Sequence, residues 1–135
     1  MRTCLTPLAL TVLIWSMSGA CADQAAVVLA NKSWLAFRCS YYANAMSGGA
    51  DEGKRLRQMG YLFGKKYLAA ADAGRVKDSE LLDIPRSFIY PGPSHDYILG
   101  AVSVFAMDME GAQGHMNDLA AWAGAEYIKR NCKYL

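Results

Sequence analysis

The stretch SHDYILGAVSVFAMDM, Ser94 to Met109, decides how this chain is read. Between Tyr97 and Met107 every residue is apolar except Gly100 and Ser103, both small, so no face of the segment suits water and burial is expected. A bilayer crossing takes about 20 apolar residues in a helix, and this run is too short for one. Its expected place is the middle of a small soluble core. Ser94 offers an acceptor to the first free amides, and Asp96 puts a negative charge in the first turn, where the helix dipole favours it. Val102 and Val104 suit a strand equally well, but length and cap favour a helix.

The ends of the chain bound its setting. Arg2, an apolar run from Leu5 to Trp15 and small residues from Ser16 to Ala22 have the layout of a secretory signal. Ala20 and Ala22 stand where a signal peptidase reads, so residues 1–22 are expected to be cleaved and residues 23–135 to form a single helical domain. A competing reading makes Ser18 to Cys21 a lipoprotein site with Cys21 acylated; Ser18 stands where such a site takes an aliphatic residue, which favours ordinary cleavage. Cys4 and Cys21 then leave with the signal. The remaining pair, Cys39 and Cys132, is expected to form one disulfide, as an even pair in an exported protein does. Periplasm or secretion is the expected location.

Lys and Arg number 14 against 12 Asp and Glu, so net charge gives no pull toward nucleic acid or an anionic membrane surface. No internal repeat or low-complexity tract is present.

Trp34, Phe37, Tyr41 and Ala45 fall at helical spacing, as do Leu35, Cys39, Tyr42 and Met46, giving a first helix with one broad buried face that ends at Ser47-Gly48-Gly49. Asp51 to Ala73 reads as a second helix with Leu56, Met59, Phe63, Tyr67 and Ala70 inward. Gly60 and Gly64, one turn apart, suggest close packing against the helix at 94–109. Its opposite face carries Lys54, Arg57 and Lys65 with Tyr61 and Leu68 among them, a mixture that makes this stripe a candidate partner surface. Arg75 to Pro93 reads as an ordered loop with helical turns near Asp78 to Leu82, held by aromatic contacts. Within it Arg86 to His95, including Tyr90, is the second candidate recognition element. Asn117-Asp118 starts a last helix, Leu119 to Cys132, with Ala121, Ala125, Ile128 and Cys132 on one face. The expected fold is all-α: a small four- to five-helix bundle with one disulfide linking the first and last helices.

Signals for chemistry are sparse. His95, Asp96 and His115 are the residues on which a small hydrolase or metal-dependent enzyme would be built, but HExxH, paired i, i+4 histidines, GxSxG and a phosphate-cradling glycine loop are absent. No catalytic residue, metal or cofactor is implied. Trp34, Tyr41, Tyr42 and Trp122 are read as core, with a ligand pocket among them the carrier-type alternative. The architecture resembles that of periplasmic immunity or inhibitor proteins that block cell-wall-cutting enzymes, a likeness of overall form. It implies a non-enzymatic binding protein of the bacterial envelope whose partner is another envelope protein.

Overall fold

The computed structural model describes residues 19–135, with side chains from Gln24 onward apart from Met109 and Glu110. Arg2, the apolar run of the expected signal and the side chain of Cys21 lie outside the described residues. Five α-helices are formed among the described residues: α1 (Gly19–Ala45), α2 (Ala50–Asp72), α3 (His95–Phe105), the short α4 (Met109–Gln113) and α5 (Leu119–Lys129). Two 3-10 turns, Asp78–Asp83 and Arg86–Phe88, lie between α2 and α3, and a third, Cys132–Tyr134, follows α5. No strand occurs among the described residues, and no helix there is long and apolar enough to cross a membrane.

Small residues bring α1 and α2 together. Gly48, at φ +74°, turns the chain in a conformation that L side chains rarely adopt, and α2 returns antiparallel to α1. Along the seam Ala26, Ala30, Ser33, Phe37 and Ser40 of α1 are buried, as are Gly53, Gly60, Gly64 and Ala70 of α2. Two hydroxyls fasten the register: Ser33 Oγ donates to the Gly60 carbonyl at 2.7 Å and Ser40 Oγ to the Gly53 carbonyl at 2.8 Å. Each pair lies two turns from the next on both helices. Gly60 lies under the Phe37 ring, where an added Cβ would come within 2.8 Å. A Cβ on Gly64 would run into Leu99 of α3, with Ser33 Oγ 2.9 Å away. The close packing expected at these glycines is therefore present, but its main neighbour is α1, and α3 takes only the Gly64 notch.

The apolar segment does not run through the middle of the core. Leu99, Val102 and Ala106 are fully buried, whereas Tyr97, Val104 and Phe105 are each 60% exposed. Uniform apolarity suggested burial all round; α3 lies at the side of the α1–α2 pair and has only one face to bury. Its start follows expectation, with Ser94 Oγ accepting from the Tyr97 amide at 3.2 Å. The central position belongs to α1, buried toward α2 and α3 on one side and toward α5 on the other.

This placement also corrects the stripe on α2. Leu68 is 5% exposed and belongs to the core, Tyr61 packs edge-on against Phe37 at 5.3 Å, and Lys65 pairs with Asp96 of α3 at 2.9 Å. The apolar residues among those charges face the chain's own α3 and α1.

At the other end of α1, Cys39, Tyr42, Ala43, Leu56, Ala123 and Cys132 form a second buried cluster. Cys39 and Cys132 are disulfide-bonded across a Cα–Cα distance of 5.5 Å, linking the first and last helical regions. The face expected on α5 is revised: Ala121 and Ala125 are exposed, Ile128 is 76% exposed, and Ala123 is the buried position. The helix stops at Lys129 and Asn131 takes a left-handed φ of 54°, so Cys132 reaches the core by a change of chain direction instead of by helical spacing.

Gly60→Ala should lower the unfolding free energy by about 1 kcal/mol or more, because forced overlap with Phe37 outweighs a helix-propensity gain of about 1 kcal/mol. Gly124→Ala, at a helical site with nothing within 4 Å, should raise it by up to about 1 kcal/mol. Denaturant titration of the two variants therefore gives opposite signs. In the same assay, replacing both Cys39 and Cys132 by Ala should cost about 4 kcal/mol, the chain-entropy value for so long a closed loop.

Candidate binding cleft

Asn31 and Trp34 lie one turn apart on α1 and share a face. Opposite them, the segment after α2 is drawn down by Ile84 and Phe88, both buried, with the Phe88 ring edge-on to Tyr67 at 5.1 Å. Pro85 excludes a continuous helix here, leaving two short 3-10 turns. Asn31 Nδ2 ties this segment to α1, donating to the carbonyls of Asp83 at 3.0 Å and Val27 at 3.1 Å. Farther along, Tyr90 stacks on Phe105 at the end of α3, with ring centroids 6.2 Å apart. Between α1, the loop and α3 a cleft of about 520 Å³ remains. Its walls are Trp34, Ile84, Pro85, Tyr90 and Phe105, with Leu82 at the side, and its polar groups come from Asn31, Asp83, Arg86 and Ser87.

That volume is in the range of small-molecule and peptide pockets, which are mostly apolar with a few polar groups. The Ser87 hydroxyl is sealed among protein atoms and has no hydrogen-bond partner among the described residues, in a residue that is only 5% exposed. Buried hydroxyls are normally paired. Arg86, the preceding residue, is exposed and forms no ion pair among the described residues.

No family model matches this chain, and no curated protein sequence or solved structure matches it either.

The cleft gathers some of the residues singled out from sequence and leaves others apart. Arg86 and Tyr90 line it; His95 instead binds Asp72 at the end of α2, Nε2 to Oδ2 at 2.7 Å. Trp34 joins them, whereas Tyr41 lines a separate cavity of about 190 Å³ with Phe37 and Arg57. Tyr42 and Trp122 pack edge-to-face at 5.5 Å in the disulfide cluster, so the four aromatics do not form one pocket. Lys54 is exposed on α2. His115 stacks on Trp122 and contacts Asp118 at 3.2 Å. Among the described residues no group of three or more His, Cys, Asp or Glu is placed to hold a metal ion, and His95, Asp96 and His115 are not brought together.

Two polar clusters not singled out from sequence serve packing. Asp108 accepts from Arg38 at 2.7 Å and from the Tyr42 hydroxyl at 2.9 Å, and its other oxygen caps α4 through the Gly111 amide. Burial pushes the Tyr42 hydroxyl's pKa up, and the bond to Asp108 adds to this. For Asp108 burial works upward, but the bonds from Tyr42 and Gly111 and the Arg38 charge outweigh it and hold the carboxyl below its usual value. An arginine between Phe37 and Cys39 on a buried stripe is the one sequence signal for this group, because such a side chain needs a partner. In the second cluster Glu52 takes a two-point contact from Arg55, at 2.7 and 2.8 Å, and a bond from the Tyr127 hydroxyl at 2.6 Å. The Arg55 and Tyr127 bonds pull the Glu52 carboxyl down to about 2, and burial, with the bond to Glu52, pushes the Tyr127 hydroxyl up to about 12.

Because the folded Glu52 carboxyl titrates at about 2 against an ordinary 4.5, its stabilising effect is fully present above pH 4.5 and is lost as pH falls toward 2. Tyr127→Phe should cost about 1 kcal/mol at pH 7, the net worth of one such bond. The gap between variant and wild type should narrow below pH 4.5, as read by denaturant titration at pH 7, 4 and 2.5.

Proposed function

We propose that this chain is a non-enzymatic binding protein of the bacterial envelope, exported by its N-terminal signal, that engages another protein through the cleft at Trp34, Arg86, Tyr90 and Phe105. The observation that carries the reading is the cleft itself: an aromatic-walled opening at which, among the described residues, Arg86 forms no ion pair and the buried Ser87 hydroxyl has no hydrogen-bond partner. Rigid aromatic and arginine side chains are the groups that dominate protein–protein binding energies, and blocking a partner needs no chemistry beyond filling its site. The buried disulfide fits an oxidising compartment, which supports export. Of the two candidate surfaces, the α2 stripe and the Arg86 to His95 loop, this proposal takes the loop, through Arg86 and Tyr90, and adds Trp34 and Phe105 to it. The volume of about 520 Å³ also suits a ligand carrier, whose sign would be a co-purifying small molecule in native mass spectra.

Pull-down from envelope extracts should recover a partner with wild type and with Lys54→Ala, and lose it with Arg86→Ala/Tyr90→Ala. Equal recovery by the cleft double variant and wild type would remove this reading.

A further inference from the structure

The reading of the cleft as a protein-binding site can be taken one step further, and the step rests on it. We infer that the cleft takes an extended segment of the partner in which an apolar side chain sits next to a single carboxylate: the side chain between Trp34, Tyr90 and Phe105, the carboxylate on Arg86 and Ser87.

The apolar half follows from the walls. Tyr90 and Phe105 are 59% and 60% exposed although they stack on each other, and Trp34 faces them across the cleft from α1. Rings held rigid and left in water form a socket for an aliphatic or aromatic side chain, because closing over it removes apolar surface from both partners at little entropic cost. The polar half follows from Ser87 and Arg86, neighbours in sequence that line one cleft. A sealed hydroxyl without a partner costs folding free energy of the order of 1–3 kcal/mol. In the proposed complex the hydroxyl turns from its sealed position toward the cleft that Ser87 lines and takes a ligand oxygen as its partner. The Arg86 guanidinium, exposed and without an ion pair among the described residues, presents forked donors that match a carboxylate.

Asp83 limits how much negative charge the site accepts. It lines the same cleft, so a second acidic group would meet like charge, and recognition is for one carboxylate beside an apolar anchor and not for an acidic run. The occupant is a chain segment because the exposed apolar surface does not end at the cleft. From Phe105 it continues along the outer face of α3 through Val104 and Tyr97, which are two helical turns apart on one stripe. A free small molecule would fill the cleft and leave that stripe in water, whereas an extended segment covers both.

The test is a titration of the disulfide-bonded protein, followed by backbone amide shifts in NMR, with three capped dipeptides: acetyl-Phe-Asp-amide, acetyl-Phe-Asn-amide and acetyl-Ala-Asp-amide. Acetyl-Phe-Asp-amide is expected to shift Asn31, Trp34 and Arg86 to Tyr90, and to bind at least about threefold more tightly than either of the others. Arg86→Gln should abolish the preference for Asp over Asn. Ser87→Ala should weaken binding of acetyl-Phe-Asp-amide while leaving Tm unchanged or higher, since the hydroxyl it removes has no partner among the described residues; a purely structural serine would instead lower Tm. Equal affinity for the Asp and Asn peptides overturns the carboxylate, equal affinity for the Phe and Ala peptides overturns the anchor, and absence of shifts with all three overturns the segment chemistry. If the peptides fail while Arg86→Ala/Tyr90→Ala still loses the partner in pull-down, the binding reading stands and only this inference falls.

Discussion

The seam between α1 and α2 is the constraint on which the other contacts depend. Two helices can approach this closely only where side chains are nearly absent, and Gly53, Gly60 and Gly64 provide the room on α2 while Ala26, Ala30, Ser33 and Ser40 provide it on α1. Close approach puts the hydroxyls of Ser33 and Ser40 within reach of carbonyls on the facing helix. These bonds satisfy polar groups that would otherwise be buried unpaired, and they hold the sliding position of one helix on the other. Once that position is set, the Phe37 ring lies over Gly60 and Leu99 drops into the notch at Gly64, which in turn places α3.

The cleft is a by-product of that arrangement. With α3 at the side of the pair, its end at Phe105 reaches only as far as Tyr90, and Asn31 holds the loop against α1 from the other edge. Ion pairs tie several elements together elsewhere: Lys65 with Asp96, Arg38 with Asp108, and, within α2, Arg55 with Glu52. Arg86 is one of several cations that form no ion pair among the described residues, and it is the one that lines the cleft.

What was legible in the sequence follows from what each residue type signals. Helix positions, the Ser94 cap and the Cys39–Cys132 pair were legible, because caps, glycine stops and an even cysteine count act locally or by simple counting. The central place of α1 was not. Its buried face is largely alanine and serine, residues of weak hydropathy, so the strongly apolar α3 looked like the core and proved to be half in water. Likewise Tyr61 and Leu68 looked exposed among lysines and arginines, and only the tertiary packing, with Phe37 of α1 against Tyr61 and Leu68 in the core, shows what covers them. Of the cleft, Arg86, Tyr90 and Trp34 were each singled out, but for two different sites. Nothing in the chain between them says that they meet, and a loop serine such as Ser87 carries no signal until its surroundings are known.

The disulfide has a consequence in time as well as in space. Cys39 is made ninety-three residues before its mate, Cys132. By then the α1–α2 hairpin, whose ends are joined by a four-residue link, has had the opportunity to close around the waiting thiol, since contacts near in sequence form ahead of distant ones. The bridge is thus a tie between α1 and the segment after α5, separate from the serine–carbonyl bonds that hold α1 to α2.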